Sequence, residues 1–292
     1  MKSAQRVISF LLIVFLAACS DETSEDLQAF DVELSAVNLF DMSYGDDAAQ
    51  TLDMYLPANR SAATTKILVL IHGGGWVQGD KNDMRDYIPL LQREHPDHAI
   101  VNLNYRLAIP DVRTAFPNQF LDLQLALKFL SNASATLEIK PEFGLIGVSA
   151  GGHIALQYDY VYDVRDQVKM VSSIVGPTNL KDTYYSRNPQ FSRAMEYLVD
   201  RKEYPGISDL AMAVSPAHFV NENSSPTILF YGENDDLVPV SNGKFLEGKL
   251  KAAKIEHQLT IYAGGHGDWQ EESNQDLQLQ LNEFIDDHLP VN

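Results

Sequence analysis

Gly147-Val148-Ser149-Ala150-Gly151 sets a serine between two glycines, directly after an apolar run that begins at Phe143. A serine hydroxyl can attack an acyl carbon if a neighbour takes its proton and donors hold the charge that gathers on the carbonyl oxygen. The composition suits a sharp strand-to-helix turn. Its flanking residues must be nearly free of side chain, the serine backbone is strained, and the hydroxyl projects clear of the sheet. The helix start behind it supplies aligned N–H groups close to the developing charge. A bare Gly-x-Ser-x-Gly string arises by chance in about one chain of this length in ten. The plain alternative is a turn that lets a helix pack closely on a sheet, so the partners decide.

Those partners are present in the order Ser, acid, His. His72-Gly73-Gly74-Gly75-Trp76 closes an earlier apolar run. Consecutive glycines let the backbone approach a substrate oxygen, so Gly73 and Gly74, with the N–H of Ala150, are candidate oxyanion donors. Glu233, Asp235 and Asp236 share the loop after the penultimate strand, and position alone does not choose between Asp235 and Asp236. His266 sits in a Gly-rich loop after the last strand, placed to meet Ser149 as a base. His153, one turn beyond Ser149 on the same helix, is poorly placed to address the hydroxyl. His257 and His288, at a strand start and a helix end, read as structural.

Elements of alternating type must position these groups. Alternating patterns over residues 31–37 and 51–57, with a turn at Gly45, predict an antiparallel opening pair. Continuous apolar runs over 66–72, 99–104, 143–148, 168–175, 226–232 and 257–262 predict strands buried on both faces. Helical patterns separate them, over 84–93, from Phe116-Pro117, and over 149–162, 241–253 and 273–288. In the second of these, Phe120, Leu121, Leu123, Leu125, Ala126 and Leu130 form the apolar side. Such alternation implies parallel βαβ units with helices on both sheet faces. About fifty residues separate the strand near Val175 from that at Pro226, well above ordinary connection lengths. They carry Tyr184, Tyr185, Phe191, Met195, Tyr197 and Tyr204, and a small lid over the ligand crevice is expected there.

The chain has 292 residues, 45% hydrophobic and 21% charged, enough for one large α/β domain. A net charge of -18 repels phosphate backbones and argues against a nucleic-acid partner. Lys2 and Arg6 precede an apolar run over residues 7–18, too short to span a bilayer comfortably. It ends in Leu16-Ala17-Ala18-Cys19, which resembles a bacterial lipoprotein signal. That resemblance implies lipidation of Cys19, a membrane anchor and a periplasm-facing place in the cell envelope. Cys19 is the only cysteine, which excludes an intrachain disulfide and a Cys-based metal site. Expected divisions are a signal over 1–18, a polar acidic tether over 19–31 and a domain over 32–292.

The domain's motifs resemble the α/β-hydrolase superfamily, in particular its carboxylesterases with an HGGGW motif. These include the hormone-sensitive-lipase-like group and the bacterial feruloyl and acetyl esterase-like group. The resemblance runs from about Tyr44 to the last helix. It takes in Leu52-Asp-Met-Tyr-Leu-Pro57, His72 to Trp76 with Gly79, Asn104-Tyr-Arg-Leu107, and Phe116-Pro117 with Asp122. It continues through Gly147 to His153, Ser215-Pro216, Gly232-x-x-Asp235-x-x-Val238-Pro239 and Gly265-His266. Tyr231 stands where the family usually has a non-catalytic His. The resemblance implies a three-layer α/β/α fold with a mostly parallel eight-stranded sheet and a minimal lid at about 178–222. It implies Ser149 as nucleophile, His266 as base and Asp235 as the acid, with Gly73, Gly74 and Ala150 as oxyanion donors. It implies hydrolysis of short acyl, acetyl or aryl esters, carbohydrate-linked esters among them, with no metal or cofactor. Formamidases of the kynurenine type look similar in the same motifs, but an export signal argues against them. A ligand-binding lipoprotein on this scaffold would usually have lost one of the three site residues, and none is missing.

Overall fold

The computed structural model describes residues 34–291. The expected signal, Cys19 and the whole tether lie outside the described residues. In chain order come β1 (Val37–Ser43), β2 (Thr51–Leu56), β3 (Ile67–Ile71), a 3-10 turn at Lys81–Met84, α1 (Tyr87–Glu94) and β4 (Ala99–Leu103). They are followed by α2 (Asn118–Leu137), β5 (Phe143–Val148), α3 (Ala150–Val161) and β6 (Val168–Ile174). The short helices α4 (Thr183–Ser186), α5 (Pro189–Leu198) and α6 (Leu210–Ala213) occupy the long connection. Then come β7 (Thr227–Gly232), α7 (Ser241–Ala253), β8 (His257–Tyr262) and α8 (Glu271–His288).

Strand chemistry dictates the layering. Successive side chains of a strand face opposite ways, so a strand apolar at every position needs cover on both sides. Ile67, Val69 and Ile71 of β3 join one apolar cluster, with Phe120, Leu123 and Leu130 of α2, Ile154 of α3 and Leu246 of α7. Leu68 and Leu70 join the other, with Ile88 and Leu91 of α1 and Leu281, Phe284 and Ile285 of α8. Each such fully buried side chain contributes about 1.5–3 kcal/mol relative to exposure. The result is a helix–sheet–helix sandwich.

The sheet has the order β1-β2-β4-β3-β5-β6-β7-β8. Only the β1–β2 and β2–β4 pairings are antiparallel. Because β3 lies between β4 and β5, the chain first winds to one side of β3 and then crosses back to the other. The strand C-terminal ends at such a reversal frame a ligand crevice.

Three details correct the expectations. The first strand begins at Val37, and residues 34–36 are not in a strand. The turn explains this: Tyr44 N–H bonds Gln50 O at 3.0 Å, and closure there pairs Ser43 with Thr51 and Val37 with Leu56. Alternation alone does not fix register. β8 is an edge strand and only Tyr262 is fully buried, so this run is not covered on both faces. On α2, Leu121 and Leu125 are exposed, because the helical period turns Phe120, Leu123, Ala126 and Leu130 inward and leaves those two on the flank.

Candidate active site

The turn after β5 is as tight as its composition requires. Ser149 sits at φ 53° and ψ −117°, a sparsely populated conformation for a residue with a side chain. A Cβ on Gly147 would lie 2.4 Å from the carbonyl carbon of Gly151. One on Gly151 would lie 2.0 Å from the carbonyl oxygen of Ile71 in β3. Both obstacles are backbone, so only glycine fits at either place. Ser149 N–H is tied to Ile174 O at 2.7 Å, which anchors the turn to β6.

The structure brings Ser149, His266 and Asp235 together from the ends of β5, β8 and β7. His266 Nδ1 lies 2.7 Å from Asp235 Oδ2, and His266 Nε2 lies 2.9 Å from Ser149 Oγ. Asp235 is buried, and its Oδ1 accepts the N–H groups of Leu237 and Val238 at 2.8 Å each. An acceptor-only carboxylate makes Nδ1 the protonated nitrogen. Nε2 is then free to accept from the Ser149 hydroxyl. Glu233 and Asp236 point to solvent. His257 and His288 stand apart, bonded to Ile255 O and paired with Glu256.

Gly73 packs directly against the turn: a Cβ there would be 3.2 Å from Ser149 Cβ. Three carbonyls of this loop are held. Gly73 O accepts from His72 Nδ1 at 2.7 Å and from the Tyr105 hydroxyl at 3.3 Å. Gly74 O accepts from Val77 and Gln78, and Trp76 O from Ala108 and the Gln119 amide. No hydrogen bond engages the N–H of Gly73, Gly74 or Ala150 among the described residues, and all three residues line one cleft with Ser149 and His266. Gly74 takes φ 107°, where a Cβ would strike Gln78 O at 2.0 Å.

That cleft holds about 690 Å³. Its walls are mostly apolar, with Trp76, Met84, Tyr87, Phe191 and Leu237 prominent. Of the connection's six aromatic and methionine candidates, Tyr185 and Phe191 line it, stacked with ring centres 4.6 Å apart. Tyr184 is exposed, and its hydroxyl donates to Asp236 O. Tyr197 borders a different hollow, while Met195 and Tyr204 pack against the core. Among the described residues no group of three or more His, Cys, Asp or Glu could hold a metal ion.

His153 is fully buried. It accepts from Trp76 Nε1 at 3.2 Å on Nδ1, and its Nε2 lies 2.7 Å from Val214 O. Burial lowers its pKa to about 4, so it stays neutral. It therefore braces the glycine loop against α3 and the inserted segment. Sequence reading missed this brace, Tyr105 beneath the loop, and Met84 and Tyr87 in the cleft wall. The Asn104-Tyr105-Arg106 string after β4 was the available signal for Tyr105.

A mostly parallel sheet with a serine, histidine and carboxylate aligned at its C-terminal edge defines an α/β-hydrolase. The BD-FAE family model matches residues 52–250, and the chain belongs to that family. It is similar to the esterase LipC of Mycobacterium tuberculosis, 25% identical over 238 residues that span 77% of this chain and 58% of LipC. It is also similar to the isoprenylcysteine alpha-carbonyl methylesterase ICME of Arabidopsis thaliana, 25% identical over 76% of this chain and 54% of that one. The chain thus spans little more than half the length of these relatives. Among solved structures, a truncated carbohydrate esterase from gut microbiota superposes with a TM-score of 0.69 at 20% identity, over 85% of this chain and 96% of that one. Esterase B of Lactobacillus rhamnosis gives 0.68 at 21% identity, over 87% and 88%.

Proposed function

We propose that the protein is a serine-dependent carboxylic ester hydrolase working through an acyl-enzyme. The observation that carries this is the unbroken contact from Ser149 Oγ through His266 to buried Asp235. Ser149 attacks the ester carbonyl while His266 Nε2 takes its proton. The oxyanion meets the N–H groups of Gly73, Gly74 and Ala150. His266 then delivers the proton to the departing alcohol, and a water activated by the same nitrogen releases the acid. Asp235 holds the imidazole tautomer and stabilises the imidazolium. The relatives named as esterases support the reading. The apolar cleft of about 690 Å³, with Tyr185 and Phe191 in its wall, suits short acyl or aryl groups.

The test is a panel of aryl esters from acetyl to decanoyl, plus methyl ferulate, with Ser149→Ala alongside. Turnover is expected on the shorter members, and the variant is expected to lose at least about a thousandfold. A folded wild-type chain that turns over no ester and resists a fluorophosphonate would overturn the reading.

Anchoring at Cys19 belongs to the same proposal, supported by Lys2, Arg6 and the apolar run ending at Cys19. Cys19→Ser is expected to move the protein from the detergent to the aqueous phase in Triton X-114 partitioning. An unchanged partition would remove the anchor from the proposal.

A further inference from the structure

A hollow of about 440 Å³ opens between α2 and the last turn of α3. Tyr158 and Tyr162 in its wall lie nine and thirteen residues beyond Ser149 along the chain, on the order of 14–20 Å along a helix. No residue lines both this hollow and the catalytic cleft. We propose that the hollow is a binding site for a small organic monocarboxylate, separate from the catalytic cleft. The inference rests on this hollow alone and not on the ester-hydrolase reading above.

The first ground is charge. The chain carries -18, and four other hollows, the catalytic cleft among them, each have more acidic than basic residues in their walls. This wall reverses the balance, with Arg106, Lys128 and Arg165 against Asp122 and Asp163. Arg106 and Asp122 cancel each other: Arg106 Nε and Nη2 donate to the buried Asp122 carboxylate at 2.6–3.0 Å. Asp163 Oδ2 accepts the N–H of Val168 at 2.7 Å. Lys128 and Arg165 make no ion pair and no side-chain hydrogen bond among the described residues. Two unpaired cations facing one carboxylate leave a single positive charge to match. A monoanion matches it, and a dianion would meet Asp163 in excess.

The second ground is Tyr158. It is only 5% exposed, and its hydroxyl makes no hydrogen bond among the described residues. Unlike the unpartnered hydroxyls of Tyr185 and Tyr204, it is not sealed in the interior, so the hollow is where it meets a partner. Burial, and after it the Asp163 carboxylate, hold this phenol above its usual pKa. It therefore stays protonated and donates. A carboxylate has an oxygen for the phenol and a second for the cations. The third ground is the wall that remains. Leu121 and Leu125 are exposed on α2, in line with Lys128 at helical spacing, and the core does not use them. Beside the charges they offer apolar cover for the body of an organic acid, which an inorganic anion lacks.

The experiment titrates the full chain calorimetrically with hexanoate, acetate, hexan-1-ol and inorganic phosphate. Hexanoate is expected to bind about tenfold more tightly than each of the other three. Lys128→Gln with Arg165→Gln changes two exposed positions that do not threaten the fold. The pair is expected to weaken hexanoate about tenfold, and Tyr158→Phe about fivefold. Raising the salt from about 20 to about 200 mM is expected to weaken hexanoate severalfold in wild type and little in the double variant. Leu125→Ser is expected to narrow the lead of hexanoate over acetate. None of these residues lines the catalytic cleft, so hexanoate held there would not respond to them. Absence of hexanoate binding, or an affinity unchanged in the cation and tyrosine variants, would overturn the site. Phosphate bound as tightly as hexanoate, or a lead over acetate untouched by Leu125→Ser, would overturn the organic monocarboxylate as its ligand.

Discussion

Asp235 touches His266 with one oxygen because the other is already held by two backbone N–H groups at 2.8 Å. Its orientation is thus set by the loop and does not depend on the imidazole. Asp235→Asn keeps that loop contact but presents an amide where Nδ1 needs an acceptor, which favours the wrong imidazole tautomer. A fall in kcat of about 10⁴ is expected, with Asp236→Asn close to wild type. Equal losses in the two variants would mean that the loop, and not one carboxylate, matters. Gly151 makes a different demand. A methyl group there would meet the Ile71 carbonyl at 2.0 Å, with no flexible side chain to yield. Gly151→Ala is expected to lower the urea midpoint by the equivalent of about 3 kcal/mol, together with loss of activity, since α3 must back away from β3. A variant with wild-type stability would show that the turn can open without cost.

At the scale of elements, the glycine loop is a short segment held by buried neighbours that do not line the cleft. Tyr105 donates to His72 O at 2.9 Å and stacks on the His72 ring at 4.2 Å. Burial keeps the His72 pKa below its usual value. Tyr105→Phe keeps the stack and removes the hydroxyl. It is expected to lower kcat about tenfold with KM little changed, the pattern of a loosened oxyanion loop. A rise in KM alone would assign Tyr105 to substrate binding. What could be read in advance follows the same division. Ser149, His266 and the Gly73–Gly74 pair were legible because close backbone approach leaves a mark in composition, as glycines at fixed offsets from strand ends. Choosing Asp235 over Asp236 needed the family's Gly-x-x-Asp-x-x-Val-Pro spacing, since one loop offered three acids. The start of β1, the outward flank of α2 and the role of each aromatic in the long connection were not legible. Those depend on which partner surface a side chain meets, and alternation or aromatic content is the same in either outcome. The brace at His153 was hidden for that reason: its donors and acceptors come from Trp76 and Val214, 77 and 61 residues away in sequence.

Over the whole molecule, two buried groups on α3 set opposing responses of stability to pH. His153 has its pKa lowered by burial to about 4, against about 6.5 in an unfolded chain. Between those values the unfolded state binds a proton that the folded state refuses, so stability rises with pH. Asp159 is pushed up to about 7 by burial, an effect only partly offset by hydrogen bonds from Ser225 N–H at 2.9 Å and its hydroxyl at 2.7 Å. Its unfolded value is 3.8, so from there to about 7 the folded state holds the extra proton and stability falls as pH rises. Each group contributes a slope of about 1.4 kcal/mol per pH unit at most, with opposite sign. Over roughly pH 4 to 6.5 the two nearly cancel. Removing either should therefore expose the other. Relative to wild type, the stability deficit of His153→Gln is expected to shrink as pH falls from 6.5 to 4. Asp159→Asn is expected to gain relative stability as pH rises from 4 to 7. Urea unfolding at half-unit pH steps reads both differences without needing the absolute stability of any one protein. Curves for both variants that run parallel to wild type would mean that neither side chain holds its buried protonation state, and that α3 opens to water in this range.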